Sequence, residues 1–129
     1  MKIMQVEIAP GELVDKITIL AIKLARITDA GKLHNIEYEY QILTAALPVE
    51  FQRNPELKEL QLALQKVNET IWQIEDDIRD HERLKDFGPG FVALARGVYI
   101  NNDQRAALKR RINELLQSGI LEEKSYTAY

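Results

Sequence analysis

Cysteine is absent from this 129-residue chain, tryptophan occurs once and histidine twice. The missing thiols exclude disulfides, thiolate metal sites and a cysteine nucleophile, and they fit a reducing compartment. No run of about 18 apolar residues occurs, so no membrane-spanning helix is expected. The opening stretch MKIMQVEIAPGEL holds one lysine but no long apolar core of the kind a secretory signal needs. These absences lead to the expectation of a cytoplasmic chain. An excess of positive charge is also lacking. The net charge of −3 supplies no global field for nucleic acid or an anionic membrane, and neither is expected as a partner.

Apolar residues make up 46% of the chain and charged residues 29%, the balance of a folded globular chain. Its length suits a single domain, 1–129. The dominant pattern is a row of seven aliphatic residues, Leu57, Leu60, Leu64, Val67, Ile71, Ile74 and Ile78, at alternating steps of three and four. Such a row is an a/d heptad stripe, and it predicts one long amphipathic helix over about 55–86, opened by Asn54 as N-cap and Pro55 at the first position.

Two shorter helices precede it. Pro10 suits the first turn of a helix over about 10–28, whose residues Leu13, Ile17, Leu20, Leu24 and Ile27 form one stripe. Val14, Ile19, Ala21, Ile22 and Ala25 widen that face, which predicts a central position in a bundle. Gly31 suits a left-handed helix end. A second helix over about 32–47 carries Leu33, Ile36, Tyr40, Leu43 and Leu47 and stops at Pro48. After Gly88-Pro89-Gly90 the spacing predicts a short helix over 91–99. A new start follows at Asn101, where Gln104 gives capping-box spacing, and a last helix runs to about 117. Residues 3–8 alternate as an extended arm, and the tail 120–129 is read as its candidate partner in a small two-stranded pairing. The expected fold is therefore all-α, an antiparallel bundle of four to five helices.

Length is the informative mismatch. The long helix would span about 48 Å against about 28 and 22 Å for the two before it. Part of the stripe must be covered by the C-terminal helices or by a second copy, because each exposed aliphatic side chain forgoes about 1.5–3 kcal/mol of burial. Ile71, Trp72, Ile74 and Ile78 are the expected interface of a homodimer, with an unidentified protein partner as a further option.

No catalytic set is legible. Asp86-Phe87-Gly88 spells a kinase triplet in a chain too short for a kinase. The Glu-x-x-His pairing of helical di-iron proteins is missing, since position 78 is isoleucine, and neither a metal nor another cofactor is expected. The acidic run Glu75, Asp76, Asp77, Asp80, Glu82 and Asp86 and the basic run Arg105, Lys109, Arg110 and Arg111 have two readings. One is a solvated face with interhelical ion pairs and the i,i+4 pair Glu75–Arg79. The other is a site for a small anionic metabolite built on Arg79, Arg96, Arg105 and Lys109, with acid–base work falling to Glu75 or Asp76. Asn68, one position past Val67, is a candidate for hydrogen bonding across helices.

The segments Gly11–Leu20, Ile74–Arg79 and Tyr99–Asn113, with the ending Glu122-Glu123-Lys124-Ser125-Tyr126, resemble a family of small bacterial helical proteins classed as a domain of unknown function. That resemblance spans the chain. It implies a compact helical domain and points to Asp15, Lys16, Glu75, Arg79, Arg96, Asn102, Asp103, Arg105 and Lys124 as the polar residues to watch, without implying an activity. A looser likeness to the helical chorismate mutases, also built around a long helix, is architectural and maps no catalytic set onto these residues.

Overall fold

The computed structural model describes residues 2–129, and it is all-α. Five helices follow in order: α1 (Pro10–Arg26), α2 (Ala30–Ala45), α3 (Glu50–Arg53), α4 (Pro55–Leu84) and α5 (Pro89–Leu115). The long helix forms as its stripe predicts. Asn54 is its N-cap, accepting the Glu56 N–H at 3.0 Å, and Pro55 opens its first turn. Lys85 closes it in the left-handed region at φ 54°.

α1 is central, packing against α2, α4 and α5. Leu13, Val14, Ile17, Leu20 and Ile22 are buried on its wide apolar face. Its end comes at Arg26, and Ile27 is extended. The expected left-handed stop at Gly31 does not occur: Asp29 caps α2 by accepting the Lys32 N–H at 2.8 Å, and Gly31 lies within the first turn of that helix. A direct cap by Asp29 leaves no residue to reverse through glycine. α2 packs on α1 alone and has no fully buried residue, so it is an outrigger with its stripe half-covered.

Two elements differ from the sequence expectation. Residues 50–53 form the short helix α3, which seats the buried Phe51 against Val14, Leu57, Leu64 and Ile112 in the main core. α5 is continuous across Asn101-Asn102, where a break and a capping box are expected. Asn101 turns its amide back onto the Gly97 carbonyl at 2.8 Å, a bond within the helix that leaves its side chain no capping role. Packing along α4 outweighs the weak helix propensity of the two asparagines.

α5 runs antiparallel to α4 over nearly its full length. Arg111 lies beside Glu56, Gly97 beside Ile74 and Gly90 beside His81. The C-terminal part of the chain therefore covers one side of the heptad stripe. α1 does not follow α4 to its end: Arg26 reaches only Gln73, at 3.5 Å, and the ring of Trp72. Beyond that level α4 and α5 stand as a two-helix hairpin, and neither has a fully buried residue there.

The expected pairing of arm and tail is absent, since no strand occurs among the described residues. Residues 2–8 carry no regular secondary structure and are exposed. The tail is drawn to α5 instead, through Glu122 to Lys109, Glu123 to Arg110 and Tyr129 to Asp103.

Candidate functional site

The deepest polar cluster lies where α1, α4 and α5 meet. Asp15 is 1% exposed, so its charge requires partners at every lone pair facing inward. Arg105 supplies a two-pronged pair, Nε to Oδ1 at 3.0 Å and Nη2 to Oδ2 at 2.6 Å. The Asn68 amide donates to Asp15 Oδ1 and to Thr18 Oγ1, both at 2.9 Å, and the Thr18 hydroxyl donates to the Asp15 carbonyl at 2.8 Å. The bond to Asp15 holds the Arg105 guanidinium charged against the opposing effect of burial. No buried side-chain polar atom is left without a partner among the described residues. The expected interhelical role of Asn68 is fulfilled here.

One turn along α5 lies a second cluster. Gly11 donates its N–H to Asn113 Oδ1 at 2.7 Å, and α1 presses so close that a Cβ at Gly11 would sit 2.4 Å from the Lys109 carbonyl oxygen. The Lys109 side chain, 9% exposed, places Nζ 2.7 Å from Glu12 Oε2 and 2.8 Å from Glu122 Oε2. Burial works to lower its pKa, but the hydrogen bonds to Glu12 and Glu122 outweigh that and raise it. The same bond to Lys109 lowers the pKa of Glu122.

Arg105 separates two openings. On one side is a cleft of about 340 Å³ between α1 and α4, floored by Ile19, Ile22, Ile71 and Trp72 and rimmed by Glu75, Asp76, Arg79 and Arg105. Two candidate carboxylates, two candidate cations and two candidate interface residues thus share one cleft. Arg79 is engaged by Glu75 at 2.6 Å, as the i,i+4 spacing predicts. Arg96 lies exposed outside the cleft, and Lys109 lies on the opposite side of Arg105. Ile74 meets α5 at Gly97, and Ile78 is half-buried on the outer hairpin.

Interhelical ion pairs form, but among the described residues the acidic and basic runs do not pair with each other. Glu75, Asp80 and Glu82 of the acidic run are paired within α4 and its C-cap, with Arg79, Arg83 and Lys85. Arg105, Lys109 and Arg111 turn to Asp15, Glu12 and Glu56, carboxylates of α1 and the start of α4. The antiparallel register explains this: the acidic run lies opposite the beginning of α5, while the basic run lies opposite the beginning of α4.

On the other side of Arg105 the tail bridges two adjoining spaces. One, of about 270 Å³, is lined by Asn102, Arg105, Lys109, Glu122, Lys124 and Tyr126. The other, of about 680 Å³, is lined by Tyr99, Asn102, Asp103, Lys124, Tyr126 and Tyr129. Glu12, Glu122 and Tyr129 were not singled out as site residues by sequence reasoning. Only proximity in space connects them to Lys109 and Asp103.

A family model matches residues 4–129 of the chain. The chain belongs to a family of unknown function, DUF6165. No curated protein and no solved structure matches it. Membership of DUF6165 therefore adds no chemistry to what the two clusters and their openings carry themselves.

Proposed function

We propose that this DUF6165 protein is a helical interaction module, and that it works as a homodimer through the outer half of the α4–α5 hairpin. The observation that carries the reading is the early end of α1. Among the described residues, α1 ends level with Trp72 and Gln73, although α4 runs on to Leu84. At the tip, Leu84 is 67% exposed and Phe87 and Val92 are each 51% exposed, with Phe87 stacked edge-on against Phe91 at 5.2 Å. A two-helix hairpin has no interior of its own. Two hairpins laid side by side make a four-helix bundle, and the two-fold arrangement presents the same patch from each copy.

Charge favours a second copy as occupant. Among the described residues, Arg96 on α5 has no carboxylate within 4.0 Å, and on the outer part of α4 Asp76 and Asp77 have no cation within 4.0 Å. A two-fold axis between hairpins brings Arg96 of each copy towards the acidic run of the other. Sedimentation velocity over a concentration series tests the reading. The expected species has twice the chain mass, and Leu84→Asp combined with Val92→Asp returns it to a monomer with unchanged helical content. A wild-type mass equal to one chain at every concentration contradicts it.

A further inference from the structure

We infer that residues 118–129 form a strap over a binding site for a small planar anion on α5, and that Glu122 occupies the position of that anion's charged group. This inference is independent of self-association, since none of the lining residues is among those placed at the proposed interface.

The manner in which the tail is held comes first. Beyond Ser118, whose N–H bonds to the Asn113 carbonyl, no backbone hydrogen bond joins the tail to the bundle. Its anchors are side chains: Glu122 on Lys109, Glu123 on Arg110 at 3.1 Å, and Tyr129, whose hydroxyl donates to Asp103 at 2.7 Å and whose ring meets Tyr99 edge-on at 5.3 Å. Every residue from 119 to 129 is exposed. A segment held by a few side-chain contacts from exposed residues separates at low cost from the surface beneath it.

The surface it covers is built for an oxyanion. Lys109 is buried along its stem and lines the space under the strap, with Glu12 as its one carboxylate within 4.0 Å from the helical body among the described residues. Arg105 and Lys124 line the same space, and Lys124 has no carboxylate within 4.0 Å among the described residues. Asn102 adds an amide. With the Glu122 side chain rotated away and the rest of the strap in place, Lys109 keeps one open donor direction, and Lys124, whose ammonium lies 5.5 Å from the Tyr126 ring centroid, lines the same space, an arrangement that suits phosphate or carboxylate oxygens. The adjoining space is walled by Tyr99, Tyr126 and Tyr129, which offer ring faces to a flat group. The ligand class is therefore an oxyanion, phosphate or carboxylate, carried on a planar ring. The strap carboxylate competes with it for Lys109.

Phenyl phosphate and inorganic phosphate, titrated separately into ¹⁵N-labelled full-length protein, test the assignment. Phenyl phosphate is expected to shift the amides of Asn102, Lys109, Glu122, Lys124 and Tyr126 and to leave those of α2 unmoved. Glu122→Gln, which removes the competing charge from an exposed position, is expected to tighten that binding by about five-fold, the equivalent of one exposed ion pair. Lys124→Ala is expected to weaken it while the melting temperature stays unchanged. Strap amides that stay unmoved in both wild type and Glu122→Gln at tens of millimolar phenyl phosphate overturn the site. Equal affinity for phenyl phosphate in wild type and Glu122→Gln overturns the role of Glu122. Inorganic phosphate binding as tightly as phenyl phosphate overturns the aromatic half of the ligand class.

Discussion

At the residue scale the two glycines that bring helices together differ in what they meet. A methyl at Gly11 collides with the backbone carbonyl of Lys109 and crowds Asn113. Backbone of a packed helix cannot yield without shifting α1 against α5. At Gly97 the added carbon meets only the Cδ1 end of Ile74, at 2.9 Å, which a rotamer change relieves. Gly11→Ala should therefore cost more than about 2 kcal/mol and Gly97→Ala less than about 1 kcal/mol, read from urea unfolding. Equal costs would contradict the close approach at Gly11. Asp15→Ala strips Arg105 and Asn68 of a shared acceptor. Arg105 remains 30% exposed, so the loss falls near the lower end for a broken buried pair, about 3 kcal/mol in the same assay. Lys16, one position away and exposed, serves as control: Lys16→Ala should change stability by no more than about 0.5 kcal/mol. Which of the two is buried was not visible in the sequence, because both sit in one polar pair between apolar neighbours. The facing residues Asn68 and Arg105, distant along the chain, decide it.

At the element scale, regular periodicity was legible and irregular contact was not. The stripe from Leu57 to Ile78 predicts α4 within two residues, and Asn54-Pro55 marks its start. α3 escaped because four residues are too few to show a period, and its purpose is to seat Phe51. The break expected at Asn101 followed local propensity, which tertiary packing along α4 overrides. Only the arm alternates, and its pairing with the tail was one option for a short, mixed segment; charge on Glu122 and Glu123 draws that tail to α5. That attachment has a pH window. The pKa of Glu122 is lowered by Lys109, so its contribution is present above the ordinary value of 4.5 and is lost as pH falls through the lowered value. Lys109 is raised, so its contribution is present below 10.5 and is lost as pH climbs through the raised value. The bond to Asp103 raises the pKa of the Tyr129 hydroxyl from its ordinary value of 10.0. The strap should accordingly hold from about pH 5 to 10. Amide shifts of residues 120–129 should change below pH 4.5 while those of α1 persist. Strap shifts that move at neutral pH would contradict this.

At the scale of the whole molecule, unequal helix lengths organise the account. α4, with 30 residues, and α5, with 27, outrun α1, with 17, so the main core is confined to one end. The sequence carries that mismatch openly in the length of the heptad stripe. It does not carry the side on which the stripe is uncovered, which depends on where α1 crosses α4. α2, attached to α1 alone, should be among the first helices to exchange its amide hydrogens, whereas the α1 amides near Asp15 should be among the last. The measurement that bears most directly on the central claim is sedimentation velocity of the wild type beside the Leu84→Asp, Val92→Asp double variant. A dimer that becomes a folded monomer on substitution is the predicted result. A wild type that sediments as a monomer across the concentration range, with the variant indistinguishable from it, would contradict the claim that the outer hairpin is an interface.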